Sequence, residues 1–164
     1  MKIHRLFYIS LLMILPGLLS GQELAKDFSQ LMDALKNGQE VKMVARYKSC
    51  QLIADNEISE KIPDAIGGLT IDTWEYFAPG AVRNDKAFVV FSVNHFIQYP
   101  KGDGYVYNYV KVKVSEDNKV KITARYIDPK TFTDLMDENF FCEICNGENE
   151  AGVSFLLTIK HQNS

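Results

Sequence analysis

The stretch from Lys86 to Ile127, KAFVVFSVNHFIQYPKGDGYVYNYVKVKVSEDNKVKITARYI, decides the fold. Three runs within it alternate apolar and polar side chains, and they are separated by Gly102-Asp103 and by Glu116-Asp117-Asn118. A period of two puts successive side chains on opposite faces of a strand, so the stretch reads as three antiparallel strands joined by hairpins. Register follows from the turns, because a slip of one residue would turn the apolar face outward. A two-residue turn at Gly102-Asp103 sets Lys101 opposite Gly104, Val93 opposite Val112 and His95 opposite Val110. A three-residue loop with Asn118 left-handed sets Val114 opposite Val120, Val112 opposite Ile122 and Asn108 opposite Tyr126.

The shared face then carries Ala87, Val89, Phe91, Val93 and Ile97, then Val106, Val110, Val112 and Val114, then Val120, Ile122 and Ala124. Polar residues interrupt it at His95, Asn108 and Tyr126. In this register Asn108 lies across from Tyr126 and one diagonal step from His95, about 7 to 8 Å away. An imidazole, a carboxamide and a phenol at one end of an apolar face form either the floor of a ligand pocket or a satisfied internal network. The opposite face carries Tyr105, Tyr107 and Tyr109, followed by Lys111, Lys113, Lys119, Lys121 and Arg125. The tyrosines are a candidate interaction surface, the alternative being cover by a helix or by the C-terminal hairpin.

Working outward, Leu24, Phe28, Leu31, Met32 and Leu35 recur at helical spacing, with Gly38 as the stop. Met43, Ala45 and Tyr47 then alternate as a strand with one wet face. A loop over Ile53–Gly68 leads into a strand over Leu69–Phe77. Beyond the central stretch, Asp128-Pro129 resembles an N-cap with proline at N1, opening a short helix through Phe132, Leu135 and Met136. A last hairpin, Phe140–Ile144 with Val153–Ile159, closes around Asn146-Gly147. The expected class is α+β and mostly antiparallel β: a curved sheet or small barrel of about six to seven strands, with an N-terminal helix and a short helix before the last hairpin.

The first residues, MKIHRLFYISLLMILPGLLSG, set Lys2 and Arg5 before an apolar run from Leu6 to Leu15, with Ser20 and Gly21 after it. That order describes a secretory signal peptide over residues 1–21, its run too short to span a bilayer as a helix. Residues 22–164 form one expected domain, about 140 residues and large enough to bury a core. Removing the leader takes the charge from −3 to −5, since 18 basic residues become 16 against 21 acidic. An acidic domain is a poor nucleic-acid partner, and no segment after the leader would hold it in a membrane. The expected location is extracellular, or periplasmic in a bacterium, where disulfides form.

Catalytic motifs are missing: there is no G-x-S-x-G, no phosphate-cradling glycine loop, no H-E-x-x-H and no dinucleotide glycine pattern. Ser92 points away from His95 on its strand, and Asp72 and Glu75 likewise diverge, so neither pair is a working dyad. The enzyme reading reduces to a hydrolase or isomerase with an atypical site around His95. No cofactor or metal is expected, because zinc would require ligands beyond the single pair Cys142 and Cys145. With Cys50 there are three cysteines, read as one disulfide from Cys50 to Cys142 or Cys145 with one thiol left, or as three free thiols.

The segments FSQLMDALKNGQEVKMVARYKSC (Phe28–Cys50), AIGGLTIDTWEYF (Ala65–Phe77), FSVNHF (Phe91–Phe96) and YVYNYVKVKVSEDNKV (Tyr105–Val120) together resemble the VirK family of small exported proteins. The resemblance covers most of the chain after the leader and places Cys50, Gly67, Gly68, Ser92 and His95 at the family's recurring positions. The Cys142/Cys145 pair is outside that pattern. It implies an exported accessory protein without an established activity. The expected function is therefore a secreted, non-enzymatic domain holding a small apolar or mixed ligand at His95, Asn108 and Tyr126. The alternative is a protein-interaction or host-contact module working through Tyr105, Tyr107 and Tyr109.

Overall fold

A computed structural model describes residues 21–54, 57–149 and 151–158. The expected leader therefore lies outside the described residues, Gly21 excepted. In chain order the elements are β1 (Gln22–Ala25), α1 (Phe28–Lys36), β2 (Val41–Arg46), β3 (Gln51–Ala54), β4 (Glu57–Ser59), β5 (Ile66–Thr70), β6 (Trp74–Phe77), β7 (Phe88–Gln98), β8 (Tyr105–Ser115), β9 (Lys119–Ile127), β10 (Asp134–Glu143) and β11 (Val153–Thr158). They form two sheets, one ordered β1-β11-β2-β5 and the other β4-β3-β10-β9-β8-β7-β6. All strand pairs within them are antiparallel. The expected mostly antiparallel β character holds, whereas the curved sheet or barrel of six to seven strands gives way, among the described residues, to eleven strands in two open sheets.

The central hairpins explain the larger sheet. Asn118 has φ 64°, and Val114, Val112 and Asn108 face Val120, Ile122 and Tyr126 as the turn reading requires. The first hairpin is two residues further along than expected: Val93 faces Val110 and His95 faces Asn108. Its loop runs over residues 99–104, where the Tyr99 amide donates to the Gly104 carbonyl at 3.0 Å and Gly104 takes φ 91°. A shift of two preserves the face, so every inward residue stays inward while each partner changes.

Three further expectations fail where the chain passes between sheets. The strand read over Leu69–Phe77 is two strands, β5 in the smaller sheet and β6 in the larger. The loop read over Ile53–Gly68 contains β4, paired with β3, and the start of β5. The hairpin around Asn146-Gly147 does not form, since β10 and β11 belong to different sheets and, among the described residues, Ile144 just beyond β10 meets Val153 in an isolated parallel bridge. Asn146 still makes a turn, its side-chain oxygen accepting from the Glu148 and Asn149 amides.

The helix expected after Asp128 is a single turn. The Asp128 carboxylate accepts from the Lys130 and Thr131 amides at 2.8 Å, which is N-cap chemistry. Those bonds, Thr131 first, hold its pKa below the ordinary value. Phe132 then enters the left-handed region at φ 57°, and the Asp128 amide donates to the Thr133 carbonyl, so the turn closes the β9–β10 connection. At the N-terminus α1 starts later than the apolar spacing suggests, because Asp27 caps it by accepting from the Gln30 amide at 2.8 Å. Leu24 belongs to β1, paired with Leu156. Gly38 ends the helix with φ 67°, as expected.

One core joins the layers. Val41, Met43, Ala45, Val153 and Phe155 of the smaller sheet pack with Val89, Phe91, Val112, Val114, Val120 and Ile122 of the larger, and α1 adds Leu31, Met32 and Leu35. Phe91 meets Phe155 edge-on at 6.4 Å across the layers. Burying each large aliphatic chain contributes about 1.5–3 kcal/mol. The eleven-residue strands β7 and β8 extend about 36 Å, against about 20 Å for the six-residue β2 and β11. The smaller sheet therefore covers part of the larger one and leaves an overhang, and the inward face of that overhang carries the polar residues.

Candidate functional site

The overhang becomes a cleft because of how β2 is left. After Arg46 the chain makes one 3-10 turn, Tyr47–Ser49, that carries it from the smaller sheet into β3 of the larger. The Tyr47 amide donates to the Ala65 carbonyl at 3.0 Å, anchoring the segment before β5 as a wall. The Tyr47 ring packs on Phe140 with centroids 4.6 Å apart, and its hydroxyl lies against Gly67. A Cβ at Gly67 would sit 2.8 Å from that oxygen, so the ring position requires a residue without a side chain there. Burial first, and the neighbouring Tyr126 second, push the Tyr47 pKa above its ordinary value of 10.0.

The floor comes from register. Asn108 faces Tyr126, Tyr126 faces Met136, and the next inward row sets Val110, Ala124 and Glu138 side by side. Leu52 and Phe140 close one end. Ile62, Pro63 and Ala65 form the wall, with Lys61 and Lys101 also on the lining. The cavity measures about 600 Å³, within the range of small-molecule sites. Tyr126 meets Tyr99 edge-on at 5.9 Å.

Among the described residues, the side chains of Asn108, Tyr126, Tyr47 and Glu138 make no hydrogen bond or ion pair. The satisfied-network alternative requires Asn108 and Tyr126 to bond each other, and they do not. His95 is one Cα pair from Asn108 on the same face, but it is exposed and outside the cleft lining. Ser92 is also exposed, on the other face. No described side chain hydrogen-bonds to His95, so the structure brings together two of the three residues of the candidate cluster.

Sequence reading missed Tyr47, Met136, Glu138 and Phe140 as site residues. Their signal was available in MDENF, where Met136, Glu138 and Phe140 alternate with Asp137 and Asn139. The N-cap pattern at Asp128 concealed it by suggesting a helix through Met136. Tyr47 stood in the alternating run as a strand residue, and nothing local indicates the turn that swings it over Gly67.

On the opposite face Tyr105 is exposed, while Tyr107 and Tyr109 are half-buried. Phe96 is 58% exposed and Tyr105 60%. Phe96 stacks on Tyr105 at 5.3 Å and leans on Tyr107 at the same distance. Beside them Arg125, across from Tyr109, pairs with Asp137 at 2.9 Å and with Asp134 at 3.8 Å.

Of the open cysteine alternatives, Cys50–Cys142 is the disulfide, with the Cα atoms 4.6 Å apart, and Cys145 is free. The bond ties the start of β3 to β10 beside the crossover.

No curated protein matches the chain. Among solved structures, it is similar to the crystal structure of lpg1832, a VirK family protein from Legionella pneumophila, with a TM-score of 0.60 and 18% identity over 80% of this chain and 97% of that one. At that identity the likeness is one of fold. The family model for VirK protein matches residues 23–132, from β1 to the turn before β10. With well over half of its length matched by that model, the chain belongs to the VirK family.

Proposed function

We propose that the protein is an exported, non-enzymatic accessory domain that binds a small ligand in the cleft beneath Tyr47. The observation that carries this is the set of unpartnered polar groups, Asn108, Tyr126, Tyr47 and Glu138, facing an open cavity with otherwise largely apolar walls. These groups face the open cleft free of protein partners, and a ligand that bonds them exchanges water for hydrogen bonds worth about 0.5–1.5 kcal/mol each. His95 extends the polar row at its exposed end. Export is supported by the leader pattern and by the Cys50–Cys142 disulfide, which suits an oxidising compartment. Among the described residues, no helix is long and apolar enough to cross a membrane.

Native mass spectrometry of the protein purified from its own host tests the reading. A stoichiometric mass excess that disappears on denaturation, and is lost in Asn108→Leu and Tyr126→Leu, is the expected result. His95→Ala should reduce it less. A bare mass in the wild type at saturating host extract would overturn ligand binding.

A second reading rests on a separate observation, the exposed pair Phe96 and Tyr105 stacked beside half-buried Tyr107, because apolar aromatic clusters left in solvent characterise protein-contact surfaces. If this face docks a partner, Phe96→Ser with Tyr105→Ser abolishes partner capture and leaves the cleft ligand in place.

A further inference from the structure

We propose that the cleft takes a small organic ammonium ion, seated at the Glu138 carboxylate between the rings of Tyr47 and Tyr126. This rests on the cleft being a ligand site and names the ligand's chemical class.

The carboxylate is the starting point. Glu138 points inward from β10 between Met136 and Phe140, and its cross-strand neighbours are Ala54 and Ala124, small side chains that leave its head room. It is half-buried, yet no described cation lies within ion-pair distance. Its head faces the open cleft, which is where a counter-charge can enter and make a charge-assisted bond.

The surroundings select what kind of cation. Tyr47 and Tyr126 offer aromatic faces, the first braced by Phe140 and the second by Tyr99. Aromatic faces attract an ammonium within about 6 Å, most strongly an alkylated one that sheds its water cheaply. Asn108 adds a carbonyl acceptor on the same floor. A bare metal ion would want several oxygen ligands, and the cleft supplies one carboxylate.

Lys61 and Lys101 restrict the rest of the molecule. Both are exposed, and Lys101 Nζ reaches Met136 Sδ at 4.0 Å without pairing Glu138. Two positive charges on the lining repel a second ammonium and favour a neutral or anionic tail. The ligand class is thus a monoamine or a zwitterion, not a polyamine.

The test is amide NMR on the folded protein titrated with choline, glycine betaine, the neutral carbon analogue of choline, and putrescine. Choline and glycine betaine should shift resonances of β10 and of the Tyr47 turn, with the neutral analogue at least about tenfold weaker. Glu138→Gln, equal in shape and part-exposed, should lower choline affinity by about tenfold or more and leave the spectrum dispersed. Tyr126→Leu should weaken choline likewise. Equal binding of choline and its neutral analogue, or no effect of Glu138→Gln, overturns the ammonium assignment while the cleft remains a ligand site. Putrescine binding as tightly as choline overturns the restriction to one ammonium. If none of the probes shifts the cleft resonances, the ammonium assignment is wrong, and the co-purified mass excess decides separately whether the cleft binds anything.

Discussion

A side chain at position 67 would meet the Tyr47 hydroxyl at 2.8 Å and its ring at 3.1 Å, so the ring, packed on Phe140, would have to shift. Gly67→Ala should therefore cost about 1–3 kcal/mol in denaturant unfolding. Combined with Tyr47→Phe, which removes the nearest atom, the loss should be smaller than the sum of the single changes, a coupling read from a double-mutant cycle. The same tyrosine makes stability depend on pH. Its pKa is raised in the folded state, so the folded state holds this proton more tightly than the unfolded chain. The contribution is then complete below the ordinary value near pH 10 and is lost as pH rises through the folded value. Unfolding midpoints should fall above pH 10 in the wild type and fall less steeply in Tyr47→Phe.

Asn118 shows how an element depends on a turn residue. It takes φ 64° between β8 and β9, its side-chain oxygen accepts from the Phe28 amide at the start of α1 at 2.8 Å, and its carbonyl accepts from the Ile144 amide. One residue thus closes a hairpin and caps a helix that is 90 positions away in sequence. Asn118→Ala should lose both the left-handed preference and the cap, about 2 kcal/mol together, whereas Asn118→Gly keeps the turn and loses only the cap, about 1 kcal/mol. Hydrogen exchange should locate the shared loss in the first turn of α1; protection there unchanged in both variants would refute the coupling. The β8–β9 register was legible because its turn chemistry is local. The β7–β8 register was misplaced by two because the loop over residues 99–104 closes on a left-handed Gly104 instead of a tight Gly102-Asp103 turn.

The strands after the matched family region matter most to the whole molecule. β10 lies between β3 and β9, and β11 between β1 and β2, so each sheet has an interior strand from beyond residue 132. A chain ending at Phe132 should fail to fold cooperatively, shown by loss of sharp thermal melting. Cys50–Cys142 closes 92 residues of chain, and reduction should cost about 4.6 kcal/mol on the loop-entropy account. Denaturant unfolding with and without reductant measures this, and Cys145→Ser should shift neither curve by more than about 0.5 kcal/mol. Gly152 adds a check on the bond: a Cβ there would collide with Cys50 Sγ, so Gly152→Ala should raise the free-thiol count of the oxidised protein.

From the sequence alone came the mostly antiparallel β class, the inward face of β7, β8 and β9, the Asn118 turn, the Gly38 stop and the pairing of Asn108 with Tyr126, because each rests on side-chain period or on turn chemistry within a few residues. The division into two sheets was settled by tertiary structure. Thr70 to Trp74, Arg46 to Gln51 and Ile144 to Val153 look like ordinary loops, and only the packing of one layer on the other determines that each crosses between sheets. Those crossings carry Tyr47 over Gly67 and Glu138 under it, joining residues 91 positions apart that no local pattern connects.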